Sequence, residues 1–401
     1  MKVPSHTSTT RHLGSCYPLF NDPSLECKKV FIGKQYFGGK FTYDPFDLYS
    51  LNILTNPNIV VLGQIGRGKS SFIKTFLLRE MAFGRRCLII DPKGEYGPLL
   101  SHFGFEPIVL RPGGRHRISP IRENDNQLLY ALTEIGLKRS LMPLEKSALD
   151  LAVCNAKRKS KDPNLRSIAC ELEDPLLNDS MPNSVSVTTL LEHSLEMSLE
   201  LRRLLSSDLK GVMDSTNSLT IDYSNQIISI DLSYLQGTDS LGVGIACVLS
   251  LVEDYLSSNK ITGGFFIVID EAWAVLTNSR VANFFQMTWK LSRSYGVSNI
   301  AVIHRASDLT DQSNSSVKVG GLLSDSETKI IYAQSESEAS NATKLFNLSL
   351  TEERYITQLP LGRALWKVGS RSFLVDHLLG LREAKLINTD QKMDLSISGE
   401  H

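Results

Sequence analysis

Short, wholly apolar runs alternate along this chain with longer stretches whose apolar residues recur every three or four positions. The runs at 59–62, 87–90, 107–110, 227–232, 264–270, 299–303 and 329–333 read as strands buried on both faces. Between them lie helical patterns. Residues 69–83 place Phe72, Ile73, Phe76, Leu77 and Glu80 at helical spacing, and residues 239–257 and 281–295 behave likewise. Ser335-x-x-Glu338 is a capping box that opens a helix running to Phe346. Strands and helices in alternation predict an α/β fold, a mostly parallel sheet with helices on both faces.

Residues 121–218 change character. Strand signals vanish, and helical patterns at 126–140, 143–157 and 187–205 are broken by a polar, proline-containing segment at 159–184. This predicts an all-helical insertion between two halves of the sheet. Before the core, runs at 30–32 and 40–43 around Gly38-Gly39 read as a small hairpin leaning on it, with Tyr43-Asp44-Pro45 as a turn. Near the end, 363–368 and 372–375 flank Gly369-Ser370-Arg371 as a second hairpin. The expected organisation is a β extension at 1–57, core at 58–120, helical insertion at 121–218, core again at 219–385 and a polar tail at 386–401.

Composition narrows the function classes. The 401 residues are 42% hydrophobic and 21% charged, ample for a large core. Lys+Arg and Asp+Glu both number 43, which argues against coating nucleic acid by bulk charge but leaves room for a local basic pore or loop. The nearly all-basic stretch at 157–161 is either a solvated helix end or such a contact. Six cysteines without a C-x-x-C pair, three in apolar surroundings, suggest a reducing compartment. The N-terminal residues lack the apolar core of a signal peptide, and no run approaches the ~18 apolar residues of a membrane span. A cytoplasmic protein is expected, reaching the inner face of a membrane only through a partner.

The chemistry lies in two stretches. Gly63-Gln64-Ile65-Gly66-Arg67-Gly68-Lys69-Ser70-Ser71 fits G-x-x-x-x-G-K-[ST], with an apolar strand before it and a helix after it. Glycines let successive backbone N–H groups reach phosphates, Lys69 adds a positive charge, and the Ser70 hydroxyl can hold Mg²⁺. Phe265 to Ile269 is an apolar strand that ends in Asp270-Glu271. Asp270 is expected to hold Mg²⁺ through water, and Glu271 to polarise the water attacking the γ-phosphate of ATP. No guanine-selecting Asn-Lys-x-Asp occurs. His304 ends the next strand, in place to sense the γ-phosphate. Asp91 and Glu95 follow another strand, as turn residues or as part of the ligand edge. Arg293, Arg305, Arg363 and Arg371 are candidates to complete a neighbouring subunit's site.

Together the 63–71 loop, Ile90-Asp-Pro-Lys-Gly-Glu-Tyr96 and Ile269-Asp-Glu-Ala-Trp273 resemble the ATPases of conjugation and type IV secretion, within the FtsK–HerA group of hexameric P-loop motors. Ser292-Arg-Ser-Tyr-Gly296 and Ile303-His-Arg-Ala-Ser-Asp308 extend the likeness, which covers about residues 30–385. Leu54-Thr-Asn-Pro-Asn58 resembles an actinobacterial branch of ATP-binding proteins. The resemblance implies a RecA-like core, ATP and Mg²⁺ bound by residues 63–71, Glu271 as base, His304 as sensor, and a homo-oligomer, a hexamer, with an arginine supplied in trans. It further implies a DNA or protein substrate and a membrane secretion-channel partner. The family usually has Gln where His304 stands, and usually carries a long docking domain where 57 residues precede Asn58 here. Three functions follow: a motor for transfer or apparatus assembly, a double-stranded DNA translocase, or an ATP-binding scaffold with little turnover.

Overall fold

A computed structural model of the chain describes residues 25, 30–36, 38–121, 126–177, 186–207, 209–213, 219, 221–236, 240–258, 263–272, 281–282, 285–286, 289–290, 294–310, 321, 323–324 and 326–387. Its centre is an 11-stranded sheet. In chain order the strands are β1 (Phe31–Gln35), β2 (Lys40–Thr42), β3 (Ile59–Leu62), β4 (Arg86–Asp91), β5 (Ile108–Val109) and β6 (Ile227–Asp231). They continue with β7 (Phe265–Ile269), β8 (Val297–Ile303), β9 (Thr328–Ile331), β10 (Arg363–Val368) and β11 (Arg371–His377). Across the sheet they lie β2-β1-β11-β10-β9-β3-β8-β7-β4-β6-β5. From β9 to β5 every neighbour is parallel, whereas β10, β11, β1 and β2 continue the sheet antiparallel. This is the α/β core with a mostly parallel sheet expected from the alternation of elements.

The parallel strands are largely apolar because both faces are covered, with a few buried polar residues such as Ser229, Ser298 and Asn299 among them. On β3, Ile59 and Val61 point into one core, while Val60 and Leu62 point into the other. The first core receives α1 (Pro45–Ser50), α2 (Lys69–Met81) and α3 (Gly97–His102). The second receives the helical insertion, α4 (Gln127–Leu137), α5 (Pro143–Lys159), α6 (Leu165–Glu173) and α7 (Val187–Ser206), together with α8 (Ser240–Ser258). The remaining helices are α9 (Ser307–Thr310), α10 (Glu336–Phe346), α11 (Leu350–Gln358) and α12 (Leu381–Ile387), and the described residues among 281–295 are helical.

Several expectations change. The hairpin near the start packs Ile32 and Phe41 into the core as expected, and it does more: β1 pairs with β11 and lengthens the sheet. Tyr43-Asp44-Pro45 is no turn. Asp44 caps α1, its carboxylate accepting from the Phe46 and Asp47 amides, and Pro45 takes the first helical position. The polar segment at 159–184 contains α6, whose Leu165, Ile168, Ala169 and Leu172 are buried. Helix α8 is long and apolar enough to span a membrane, with a mean hydropathy of 1.4, yet 72% of that window is buried inside the protein. It is a core helix over the sheet. Among the described residues the cysteines, Cys87, Cys154, Cys170 and Cys247, form no disulfide. The tail from 388 lies outside the described residues.

Candidate nucleotide site

Adjacent parallel strands deliver the chemistry to one edge. β3 runs into the 63–71 loop, β8 into His304, β7 into Asp270-Glu271 and β4 into the 91–96 turn. All four are carboxyl ends, the place where an open α/β sheet binds its ligand.

The loop is tied to the sheet on both sides: the Gly63 amide donates to the Ile303 carbonyl at 3.2 Å and the Gln64 amide to that of Ala333 at 3.2 Å. A Cβ on Gly63 would lie 2.6 Å from the Cβ of Tyr332. Gly66 and Gly68 sit at φ +77° and +103°, left-handed settings that side chains strain to adopt. Gly68 then opens α2 directly, so free helix amides face the loop. Lys69 is buried and its Nζ donates to the carbonyls of Gly63 and, at 2.9 Å, of Gln64. Burial and the nearby Lys93 lower its amine to about 8, against the pull of Asp270 and Glu271. Ile65 is 78% exposed at the loop tip, Ser70 and Ser71 are half-buried, and Arg67 bonds weakly to Gln64.

Asp270 is buried, and burial pushes its carboxyl above the usual range, with Glu271 adding to the effect and Lys93 opposing it. The Tyr96 hydroxyl reaches its Oδ2 at 3.4 Å. Glu271 has φ +60°, a left-handed backbone that costs a non-glycine residue about 1–3 kcal/mol. Its Oε1 meets His304 Nε2 at 2.5 Å and the Lys93 ammonium, and Lys93 Nζ stands 3.3 Å from the same His304 nitrogen. Burial alone would raise the Glu271 carboxyl; the bonds from His304 and Lys93 outweigh it and hold it down to about 2. The 91–96 turn is built by Asp91, whose buried carboxylate accepts from the amides of Lys93, Gly94 and Tyr96.

The structure thus brings Lys69, Asp270, Glu271 and His304 together. A cleft of 450 Å³ beside the loop is lined by Gln64, Ile65, His304, Arg305, Ser335, Ser337 and Glu338. Arg305 is exposed there. Arg363 sits at the start of β10, bidentate to Asp376 at 2.6 and 3.0 Å and 4.4 Å from the Tyr36 ring. Arg293 lies outside the described residues. Lys93 escaped the sequence reading although its motif was quoted, since its partner Glu271 is far along the chain. Among the described residues no group of three His, Cys, Asp or Glu side chains is placed to hold a metal.

Residues 48–244 match the family model for the helicase HerA central domain. That stretch is similar to a HerA central domain. It contains the phosphate loop and the helical insertion and stops before Asp270. The chain is similar in structure to VirB4 of Thermoanaerobacter pseudethanolicus, at a TM-score of 0.76 and 22% identity, over 91% of this chain and 99% of that one. It is also similar to the bacterial conjugative coupling protein TrwB lacking its first 70 residues, at a TM-score of 0.59 and 18% identity, over 88% and 89%. TrwB has further been solved with ADP and Mg²⁺, at a TM-score of 0.55, 16% identity and 80% and 85% coverage. At these identities the likeness is one of fold. No curated protein matches the chain.

Proposed function

We propose that the chain is the ATP-hydrolysing subunit of an oligomeric motor, energising macromolecule transfer or apparatus assembly in a conjugative or type IV secretion-like system. The observation that carries this reading is the convergence of Lys69, Asp270, Glu271 and His304 at the carboxyl ends of neighbouring strands. The fold likeness to VirB4 and to the conjugative coupling protein TrwB supports it.

The residues fit a triphosphate and its cation. Positive-φ glycines leave a cradle without side chains, and the amides of residues 63–71 and the Lys69 ammonium would hold the phosphates. Ser70 and Asp270 would hold Mg²⁺ with the phosphates themselves, as suits an ion that keeps few protein ligands. Mg²⁺ would neutralise charge on the phosphates. Glu271 accepts the proton of the attacking water, and His304 orients Glu271 and reads the γ-phosphate. In an oligomer, Arg293, Arg305 or Arg363 of a neighbour would meet Lys69 and Glu271. The protein would work in the cytoplasm, held at the membrane by a channel component, with DNA or protein as cargo.

The test is steady-state ATP hydrolysis, alone and with single- or double-stranded DNA, beside Glu271→Gln. Loss of a general base predicts a fall of about 10²–10⁴-fold in turnover with nucleotide binding kept. Strong stimulation by double-stranded DNA would favour a DNA translocase of the same fold. Equal activity of wild type and variant would leave a nucleotide-binding scaffold.

A further inference from the structure

Lys93 is the one member of the nucleotide edge to which the reading above gives no task. It sits in the turn after β4, and the Asp91 carboxylate fixes that turn by accepting from the Lys93 and Gly94 amides at 3.1 and 2.8 Å. β4 lies beside β7, so this turn faces the Asp270-Glu271 end at close range. The Lys93 side chain is 24% exposed, and its ammonium pairs with Glu271 Oε1, the oxygen that also meets His304. Burial alone would lower the Lys93 amine; the bond to Glu271 together with the charges of Glu271, Asp270 and Glu95 raises it.

A base must offer a lone pair to the attacking water. Here one carboxylate oxygen carries two donors, one of them a full cation, which draws electron density away from it. Lys93 also stands close enough to Lys69 to lower that amine, so it belongs to the electrostatics of the phosphate loop. A polyanion in the loop competes with Glu271 for Lys93.

Resting on Glu271 as the base, we propose that Lys93 is a positioning residue that restrains Glu271 in a resting posture, and that opening of the Lys93–Glu271 pair limits hydrolysis. Turnover then stays slow until the 91–96 turn moves, and that turn is where a partner or cargo can set the rate.

The experiment compares ATP hydrolysis by the full chain with Lys93→Met, Lys93→Arg and the double variant Lys93→Met, Glu271→Gln, with binding of a fluorescent ATP analogue measured in parallel. An ion pair of this exposure corresponds to about a fivefold effect on rate. The expected result is a kcat about fivefold higher in Lys93→Met with KM within about twofold, restored to the wild-type level by Lys93→Arg and abolished in the double variant. A merely structural role for Lys93 would lower kcat or leave it unchanged, and either result overturns the restraint. Analogue binding by all four proteins with no turnover in Lys93→Met also overturns it while leaving nucleotide binding intact. Absence of binding by the wild type would remove the functional reading itself.

Discussion

His377 couples the antiparallel end of the sheet to the phosphate-loop helix, and its titration makes that coupling measurable. Its Nε2 lies 3.0 Å from Thr75 Oγ1 on α2, and its ring meets Phe72 edge-on at 5.3 Å. Burial, helped by the neighbouring Arg79 and opposed by Glu383, holds the imidazole down to about 4. In an unfolded chain the same group titrates near about 6.5. The unfolded state therefore binds a proton at a pH where the folded state does not. The stability contributed by neutral His377 is whole above about pH 6.5 and is lost as pH falls through about 4. The full gap corresponds to about 3 kcal/mol, and at pH 5 about 2 kcal/mol of it is gone. The assay is urea unfolding of wild type and His377→Leu at pH 7.5 and 5. Leucine removes the proton site, and Thr75 keeps its bonds to the Ser71 and Phe72 carbonyls. Wild type should lose about 2 kcal/mol more than the variant on acidification. Parallel losses, within about 0.5 kcal/mol, would refute a buried neutral imidazole.

Two further substitutions test the scaffold of the site. Asp44→Ala removes the cap of α1 and the partner of Arg85, 2.8 Å away, from a fully buried position; a loss of about 3–5 kcal/mol in urea unfolding is expected, with Asp44→Asn recovering about 1 kcal/mol through the cap. Gly63→Ala puts a methyl 2.6 Å from the Tyr332 Cβ, and an overpacking cost of about 1–3 kcal/mol falling on the loop should weaken ATP-analogue binding by about tenfold or more. Unchanged affinity would mean that the loop yields without cost.

The parallel core was legible because each buried strand is a continuous apolar run and each strand end carries its own chemistry. β3, α2, β7 and the helix start at Ser335 all stand within a residue or two of expectation, although only half of the capping box forms there: Ser335 accepts from the Glu338 amide, while the Glu338 carboxylate accepts from Ser307. Asp44-Pro45 misled because the same residue types open turns and helices, and only the helical spacing after them decides. Helix α6 had its signal, Leu165, Ile168, Ala169 and Leu172 after Asn164, but polar flanks hid it. Helix α11 buries only Ile356 and announces itself through the Ser349–Glu352 capping box. The pairings of β1 with β11 and of Lys93 with Glu271 leave no local trace, since each joins distant stretches of chain.

That first pairing has a consequence for how the protein is made. Gly33 finds its place opposite His377, so β1 leaves the ribosome roughly 340 residues before its partner strand. At ordinary synthesis rates the wait is on the order of twenty to seventy seconds. Throughout it the β1–β2 ribbon presents unpaired backbone, an open template for other chains. Among the described strands β11 is the last to emerge, and it closes the edge of β1 that stays open until then.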